Sequence, residues 1–596
     1  MSAGVAFALA AYALYWVVGI VAPQTYRPTF LLLALIYTFL ANPKEEGTAA
    51  DTPEPPRPLR HRAVDVLLIG LSIAALIWPV FQGDAFIYRA ATPTAVDIAL
   101  GCVLVLVVLE ATRRAVGATL PLTAIAFLLY AQFGPLLDRV GLSLIAHRGY
   151  SPARVIGVLY MTLEGILGVP LDVAATYIVL FTIYGAVLEY SGAGAFFVEW
   201  AMAAIGRSRA GAGPGRTVTL AGYLLGAVSG SGVANTVMLG SVSWPMMRRA
   251  GYPPNTAGAI LAAAGIGAIL APPVMGAAAF LIAEFLSISY FEVVKMAAMP
   301  AFLYYLSIVV TVEADSRRLG LKETDTPARS VAAVTRSGWF YFLSVAAIFV
   351  FMARGATAFQ SVVLATLIAV GVSFFSREHA LRPRRLAAAL SSGGASVVPV
   401  VATTATAGII VGVVTLTGLG LKAAGLIVTL AGASLPLTVI YATAAVWMLG
   451  LAVPVTASYI IAAVMVAPAL TQVGVSPAAA HMFIFYYAVL SEVSPPTALS
   501  PFAAAAVTGG DPFRTTMLTW KYTIPAFIVP FVFTMSPHGS AVLMQGSALD
   551  IIRTLVVSAV GVTAIAAASG GYAWRPVTLV ERALLTATGV GILALA

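Results

Sequence analysis

Three short runs carry the polar side chains and backbone breaks that could handle an ion or an anion. The first is Gly226-Ala227-Val228-Ser229-Gly230-Ser231-Gly232-Val233-Ala234-Asn235-Thr236. Its glycines let the backbone leave helical geometry and expose carbonyls to a cation, while Ser229, Ser231, Asn235 and Thr236 add neutral oxygens, or donors for an anion. The second run, from Gly265 to Gly276, and the third, from Leu490 to Thr497, each contain a Pro-Pro pair: Pro272-Pro273 and Pro495-Pro496. Successive prolines remove two amide donors and restrict the residue before them, so a helix passing through must unwind. Close helix packing through small residues, or a mechanical kink, is the plainer reading of such runs. The elements around them decide between the two.

The third run also holds Glu492 in an otherwise apolar setting. An acid inside a membrane is costly and by default functional, unless it reaches an aqueous vestibule or a cationic partner. Glu492 is therefore the candidate for proton coupling. His481 follows three alanines and has no nearby Cys or His in the sequence to share a metal, so packing or an interfacial place is expected of it. Glu284 and Lys295 flank a helix end near Ser289 and are expected at the interface.

These runs must be held by helices in lipid. The 596 residues are 60% hydrophobic and 10% charged, with a mean hydropathy of +0.95, which no soluble domain could hide. Apolar runs of about 20 residues, the length that crosses a hydrocarbon core, recur from 5–22 to 584–596. The first reads as a helix and not as a secretory signal, because no basic leader precedes it. Cys102, the lone cysteine, lies in an apolar run and reads as a small packed hydrophobe. The formal charge of +9 comes largely from arginines at the ends of apolar runs. That is the pattern of membrane topology, and no nucleic-acid partner is expected. None of the lysines follows a glycine, so the phosphate-cradling loop of an ATPase is missing and no ATPase subunit or cofactor is expected.

Polar intervals divide the chain into a small N-terminal bundle, 1–135, a transport region, 150–535, and a C-terminal extension, 536–596. The Pro-rich, charged stretch 42–62 reads as a cytoplasmic loop from its basic end. Within the transport region, the interval 313–336 separates two related halves. Adding 223 to Pro245, Gly251, Pro254, Pro272 and Pro273 gives Pro468, Gly474, Pro477, Pro495 and Pro496, five helix-punctuating residues at one offset. An internal duplication explains that run. Arg207, Arg209 and Arg216 precede the apolar stretch 217–247 and Arg248 and Arg249 follow it, which puts both ends in the cytoplasm. With Gly230 at its centre, each arm is short for a full crossing, and a re-entrant hairpin fits. No Lys or Arg occurs over 423–512, so the equivalent hairpin, 436–473, with its tip around Pro454, is expected to open outward. The expected fold is an all-α polytopic membrane protein of inverted repeats, with two re-entrant hairpins, broken helices and about 16–18 membrane segments.

Ser229 to Thr236, then Pro245-Met246-Met247-Arg248-Arg249-Ala250-Gly251-Tyr252-Pro253-Pro254, then Ala271-Pro272-Pro273-Val274-Met275-Gly276 through Phe280, resembles the tripartite ATP-independent periplasmic (TRAP) transporters, in particular fused permeases of the TAXI type. In the second half Leu449-Gly450, Pro454, Ala467-Pro468, Gly474 to Pro477 and Ser494-Pro495-Pro496 fit the same family. The likeness covers roughly 150–535, and the preceding bundle matches a fused small subunit in position.

The resemblance implies a Na+- or H+-coupled importer of small organic acids in a prokaryotic inner membrane, working by an elevator movement. An extracytoplasmic solute-binding protein of TAXI type would deliver the carboxylate. It places ion sites at Ser229, Gly230, Ser231, Asn235, Gly265, Gly267, Pro454 and Thr456. Substrate contacts fall at Asn235, Thr236, Pro272, Pro273, Gly276, Ser458, Ser494 and Thr497. One departure concerns the run before Pro272, where such permeases carry a Ser-Thr-Gly-Gly-Gln-like sequence. Here Gly265-Ile266-Gly267-Ala268-Ile269 stands, so sodium would rest on backbone carbonyls. The repeat partner of Ile269 is Glu492. An intramembrane serine protease, with Ser229 or Ser231 as nucleophile and His481 as base, is the enzyme alternative. It explains neither the duplication nor the second hairpin. A passive channel is the other alternative, for which a ring of charges or carbonyls along a continuous path would be expected.

Overall fold

The computed structural model describes residues 2–41, 59–206, 211–322, 329–451, 453–536 and 539–595. Positions 42–58 of the polar loop, together with Arg207, Arg209 and part of the interval between the repeats, lie outside the described residues. Among the described residues the chain is helical throughout, apart from one isolated bridge between Tyr572 and Pro576. Hydrocarbon offers the backbone no hydrogen bonds, and a helix satisfies its own. Among the described residues eight helices are long and apolar enough to cross a membrane, nine if the pair Val331–Gly338 and Phe340–Ala353, bent by 72°, is one span. Further apolar helices run only 10–17 residues, the length expected where a span is broken. Ser and Thr side chains close many of the helix N-termini, among them Thr94, Ser151, Ser289, Ser476 and Thr578.

The helices form two compact units, each assembled from separate stretches of sequence. The first contains 1–190, 380–427 and 456–468. Its axis is the 35-residue helix Pro383–Thr417, against which helices Ser2–Val18, Ala95–Val116, Thr119–Arg139 and Val179–Tyr190 pack. The approach to the first of these is close, since a Cβ on Gly394 would run into the Ala6 carbonyl. The Thr112 hydroxyl bridges to the Ala402 carbonyl at 2.9 Å and to the Thr406 hydroxyl at 2.7 Å. Asp97, fully buried, is matched on every side: Arg89 Nε and Nη2 and Trp78 Nε1 each donate at 2.8 Å, and Thr94 donates through its N–H and hydroxyl. The expected N-terminal bundle lies within this unit.

The second unit contains 191–379, 428–455 and 469–596. Its site is built from α1 (Gly213–Gly226), α2 (Gly232–Arg249), α3 (Pro254–Leu270), α4 (Ala277–Leu286), α5 (Tyr290–Leu319), α6 (Leu435–Gly450), α7 (Pro477–Leu490), α8 (Leu499–Thr508) and α9 (Pro512–Met535). The C-terminal extension adds α10 (Ala548–Gly570) and α11 (Leu579–Ala594). The spacing of those five punctuating residues recurs in the helix starts. Starts at 213, 232, 254, 277 and 290 recur at 435, 455, 477, 499 and 512, offsets of 222 or 223. From Ala257 to Leu270 every residue of α3 is buried, because α1, α2, α5, α8 and α9 surround it. That explains why α3 has no polar face.

Candidate functional site

The site begins where α1 ends. After Gly226 the chain makes a tight turn: the N–H groups of Val228 and Ser229 both donate to Leu225 O at 2.9 Å, and α2 starts at Gly232. The Ser231 hydroxyl caps α2 by accepting from the Ala234 N–H. Asn235, fully buried, donates through Nδ2 to the Ser229 carbonyl at 3.1 Å, which holds the tip closed. Its Oδ1 is buried without a hydrogen-bond partner among the described residues. Thr236 donates to Gly232 O at 2.8 Å, an ordinary bond to the preceding turn.

The first Pro-Pro break folds back on the end of α3. Gly276 N–H donates to Ile269 O at 2.8 Å, and a Cβ on Gly276 would strike the Ile269 side chain. The Tyr290 hydroxyl supports the unwound segment, lying 2.9 Å from Pro273 O and 2.7 Å from Val274 O. Its ring stacks on Phe280 with centroids 4.3 Å apart. The hairpin tip rests on this break, since a Cβ on Gly230 would collide with the Met275 carbonyl. Gly265 faces α2, where a Cβ would lie 2.9 Å from Gly232 O. Gly267 is on another face of α3, 2.6 Å by the same measure from the Tyr305 hydroxyl, and leaves room for α5.

The second break reaches the same tip from the other repeat. After α7 a single turn, Ser491–Val493, precedes Pro495 and Pro496. Both Pro-Pro peptide bonds, in this repeat and in the first, are cis. The Ser494 hydroxyl donates to Leu490 O at 2.8 Å and accepts from Trp447 Nε1 at 3.1 Å. Trp520 Nε1 donates to Val493 O at 2.8 Å, and the two indoles meet edge to face at 5.8 Å. Thr497 donates to Ser491 O at 3.3 Å. Glu492, half-buried, accepts the Ser500 hydroxyl at 2.6 Å and the backbone N–H of Val233 in the first turn of α2. A Cβ on Gly232 would lie 2.5 Å from Glu492 Oε1 and 3.2 Å from Ile269 Cδ1. The two repeat partners thus converge on one glycine at the start of α2.

The first amides and the positive end of α2 face this acid, and no cationic side chain pairs with it among the described residues. Of the expected site residues, Ser229, Gly230, Ser231, Asn235, Thr236, Gly265, Pro272, Pro273 and Gly276 gather around the tip and first break, with Glu492 from the second. Ser494 and Thr497 line the second break itself. Pro454 lies in the break between α6 and the helix Val455–Met465. Thr456 and Ser458 belong to the first unit, where the Ser458 hydroxyl is buried without a hydrogen-bond partner. His481 lies beside Phe285 with ring centroids 6.1 Å apart, Glu284 is exposed, and Lys295 pairs with Glu292 at 2.7 Å. No group of three or more metal-ligating side chains gathers among the described residues. Ser500, Trp447, Trp520 and Tyr290 support the breaks and were not singled out in the sequence. Nothing in their own neighbourhoods marks them.

The sequence matches the family described as tripartite ATP-independent periplasmic transporter, DctM component, over residues 103–538. Among curated proteins it is similar to the 2,3-diketo-L-gulonate TRAP transporter large permease protein YiaN of Escherichia coli (strain K12), at 28% identity over 211 residues, 34% of this chain and 49% of the relative. The chain therefore spans about half the length of that relative. Among solved structures it is similar to the Alcanivorax borkumensis YdaH transporter, with a TM-score of 0.48 and 17% identity, covering 69% of this chain and 97% of that one.

Proposed function

The chain belongs to the DctM-component family of tripartite ATP-independent periplasmic transporters, a multi-pass protein of the inner membrane, and from that premise we propose that it is an ion-gradient-coupled importer of a small organic acid. A separate extracytoplasmic solute-binding protein, of the TAXI type, delivers the acid, and the transport unit moves as an elevator. The observation that carries this reading is the convergence of Ile269 and Glu492 on Gly232, which brings a break from each repeat to one hairpin tip. Helices broken at mid-membrane leave carbonyls and amide N–H groups without helical partners, and those groups can take a cation and a carboxylate where an intact helix could not.

Two sets of groups offer coupling. Neutral oxygens at the tip, namely the orphaned Asn235 Oδ1 with the carbonyls around Ser229 and Gly230, suit a hard cation such as Na+. Glu492, held by Ser500 and the start of α2, suits a proton. The relative named for 2,3-diketo-L-gulonate acts on a sugar acid, which agrees with a carboxylate cargo. The N-terminal bundle, 1–135, serves in this reading as the fused small subunit, and the stretches 217–247 and 436–473 as inverted re-entrant hairpins.

Proteoliposomes containing the chain, supplied outside with the purified solute-binding protein and labelled solute, test the proposal. Uptake that requires both the binding protein and an imposed Na+ or pH gradient supports it. Equal uptake without either would make the chain a channel, and no uptake with cleavage of a membrane peptide would favour the protease.

A further inference from the structure

The C-terminal extension, 536–596, lies almost wholly beyond the family match, which ends at 538, and it completes a cluster of charge that the transport site does not use. Helix α10 packs along α5, and α11 folds back on α10. The packing is close at both ends. A Cβ on Gly561 would lie 2.9 Å from Gly589 O, and a Cβ on Gly570 would run into Ala314. The turn after α10 is thereby fixed against the last turn of α5, which carries Arg317 and Arg318.

At that corner the cations outnumber the acids. Asp315, almost wholly buried, accepts both Lys521 Nζ contacts, at 2.5 and 2.6 Å, and the Tyr522 hydroxyl at 2.5 Å, so Arg318 approaches it only to 3.3 Å. Glu313 is shared by Arg216 and by Arg317, the latter at 3.0 Å. Arg582 hydrogen-bonds the carbonyls of Ala568 and Ser569, at 2.7 and 3.0 Å, and has no carboxylate partner among the described residues. Lys521 and Arg318 thus share one carboxylate, and Arg582 has none among the described residues. The side chains of Arg318 and Arg582 also pass close to the same turn. From the Cβ position of Gly571, Arg582 Cζ is at 3.7 Å and Arg318 Cδ at 3.8 Å. Like charges brought together by a fixed turn repel unless an anion lies between them.

The surroundings say what kind of anion. Trp574, in the turn, is 93% exposed, and the ring of Tyr572 lies 6.0 Å from Arg317 Cζ. Exposed aromatic rings with arginines mark the level of lipid headgroups, and the basic ends of helices face the cytoplasm. Around Arg582 the first turns of α11 expose Leu579, Val580 and Leu584, apolar surface such as an acyl chain requires. We propose that Arg318 and Arg582 form a seat for the headgroup of an anionic phospholipid of the cytoplasmic leaflet, with its acyl chains along α11. Basic pockets between helices on that side are the general means of holding such lipids.

Native mass spectrometry of the full chain in detergent, titrated with phosphatidylglycerol or with phosphatidylcholine of the same chains, tests this. The expected result is one preferentially retained phosphatidylglycerol. The double variant R318Q/R582Q should reduce that preference about thirtyfold, as removal of two basic side chains at a lipid surface implies, while R248Q/R249Q, an exposed basic pair on the same side, leaves it in place. Because Arg582 also holds the last turn of α10, R318Q alone serves as the variant that keeps those contacts, with an expected loss of about fivefold. Equal retention of the two lipids, an undiminished preference in both Arg318 variants, or an equal loss in R248Q/R249Q would overturn the seat. So would inorganic phosphate competing as well as the lipid, since that would make it a site for a free anion.

Discussion

Glu492 and Gly232 belong to different repeats, yet the carboxylate stands where the glycine's side chain would be: Oε1 lies 2.5 Å from the Cβ position. The contact is made possible by the absence of that side chain and is held by two donors, the Ser500 hydroxyl and the Val233 N–H. It ties the start of α2 to the second Pro-Pro break without a cationic residue.

Two glycines at the tip should tolerate a methyl group to different degrees. At Gly232 the obstacle is the end of a flexible side chain, which can turn aside; at Gly230 it is the Met275 backbone carbonyl, which cannot. Gly232→Ala is expected to cost about 1 kcal/mol and Gly230→Ala about 3 kcal/mol, the range of overpacked sites. Thermal unfolding of the purified variants in detergent measures this. Adding Glu492→Ala should relieve the first and leave the second, and equal costs for the two glycines would contradict this geometry.

Trp447 and Trp520 each donate an indole N–H to the second break. Their replacement by Phe keeps an aromatic ring and removes the donor. Each variant should lose about 1 kcal/mol, with the greater effect on transport from Trp520→Phe, because it leaves a backbone carbonyl, Val493 O, without a partner. Initial uptake rates unchanged in both variants would show that the break does not need them.

The Tyr290 hydroxyl serves two carbonyls at the first break. In Tyr290→Phe one donor is lost to an unwound segment with no helical alternative, at a cost of about 1–3 kcal/mol. Hydrogen exchange at Val274 and Met275 should rise while exchange in the middle of α3 stays slow. A uniform rise along α3 would instead mean that the whole helix has loosened.

In the first unit Asp97 is the acceptor for Arg89, Trp78 and Thr94 and has no exposed surface. Asp97→Asn removes the charge that matches Arg89 and should destabilise the chain by about 3–5 kcal/mol, read as a lower melting temperature. A change of less than about 1 kcal/mol, the worth of a surface pair, would indicate that Arg89 finds another partner.

The parts of the site that change backbone geometry were legible in the sequence, because glycine and paired prolines have few other reasons to recur at one spacing. The tip from Ser229 to Asn235, both Pro-Pro breaks and the duplication followed from that. Glu492 was visible because a carboxylate is rare in an apolar run, but its partner was not: Ser500 is one hydroxyl among many. Trp447 lies 47 residues from Ser494 and Trp520 27 from Val493, contacts that only tertiary packing creates. Gly265 and Gly267 looked equivalent, and the structure separates them, since positions two apart on a helix face different neighbours. The excess charge at Arg318 and Arg582 was hidden for the same reason, as the two arginines are far apart in sequence and pass close to the same turn at Gly571.

The proposed place where an ion gradient is converted into uptake of an acid is the tip held by Glu492. Gln at 492 keeps an oxygen for Ser500 and Val233 but cannot carry a proton. Initial uptake by wild type and Glu492→Gln, in proteoliposomes with the solute-binding protein over a series of imposed pH gradients, is the direct measurement. The expected result is a rate at least about tenfold lower in the variant, equivalent to the loss of one charge-assisted hydrogen bond, that no longer responds to the gradient. Uptake at the wild-type rate with the wild-type pH dependence would contradict it.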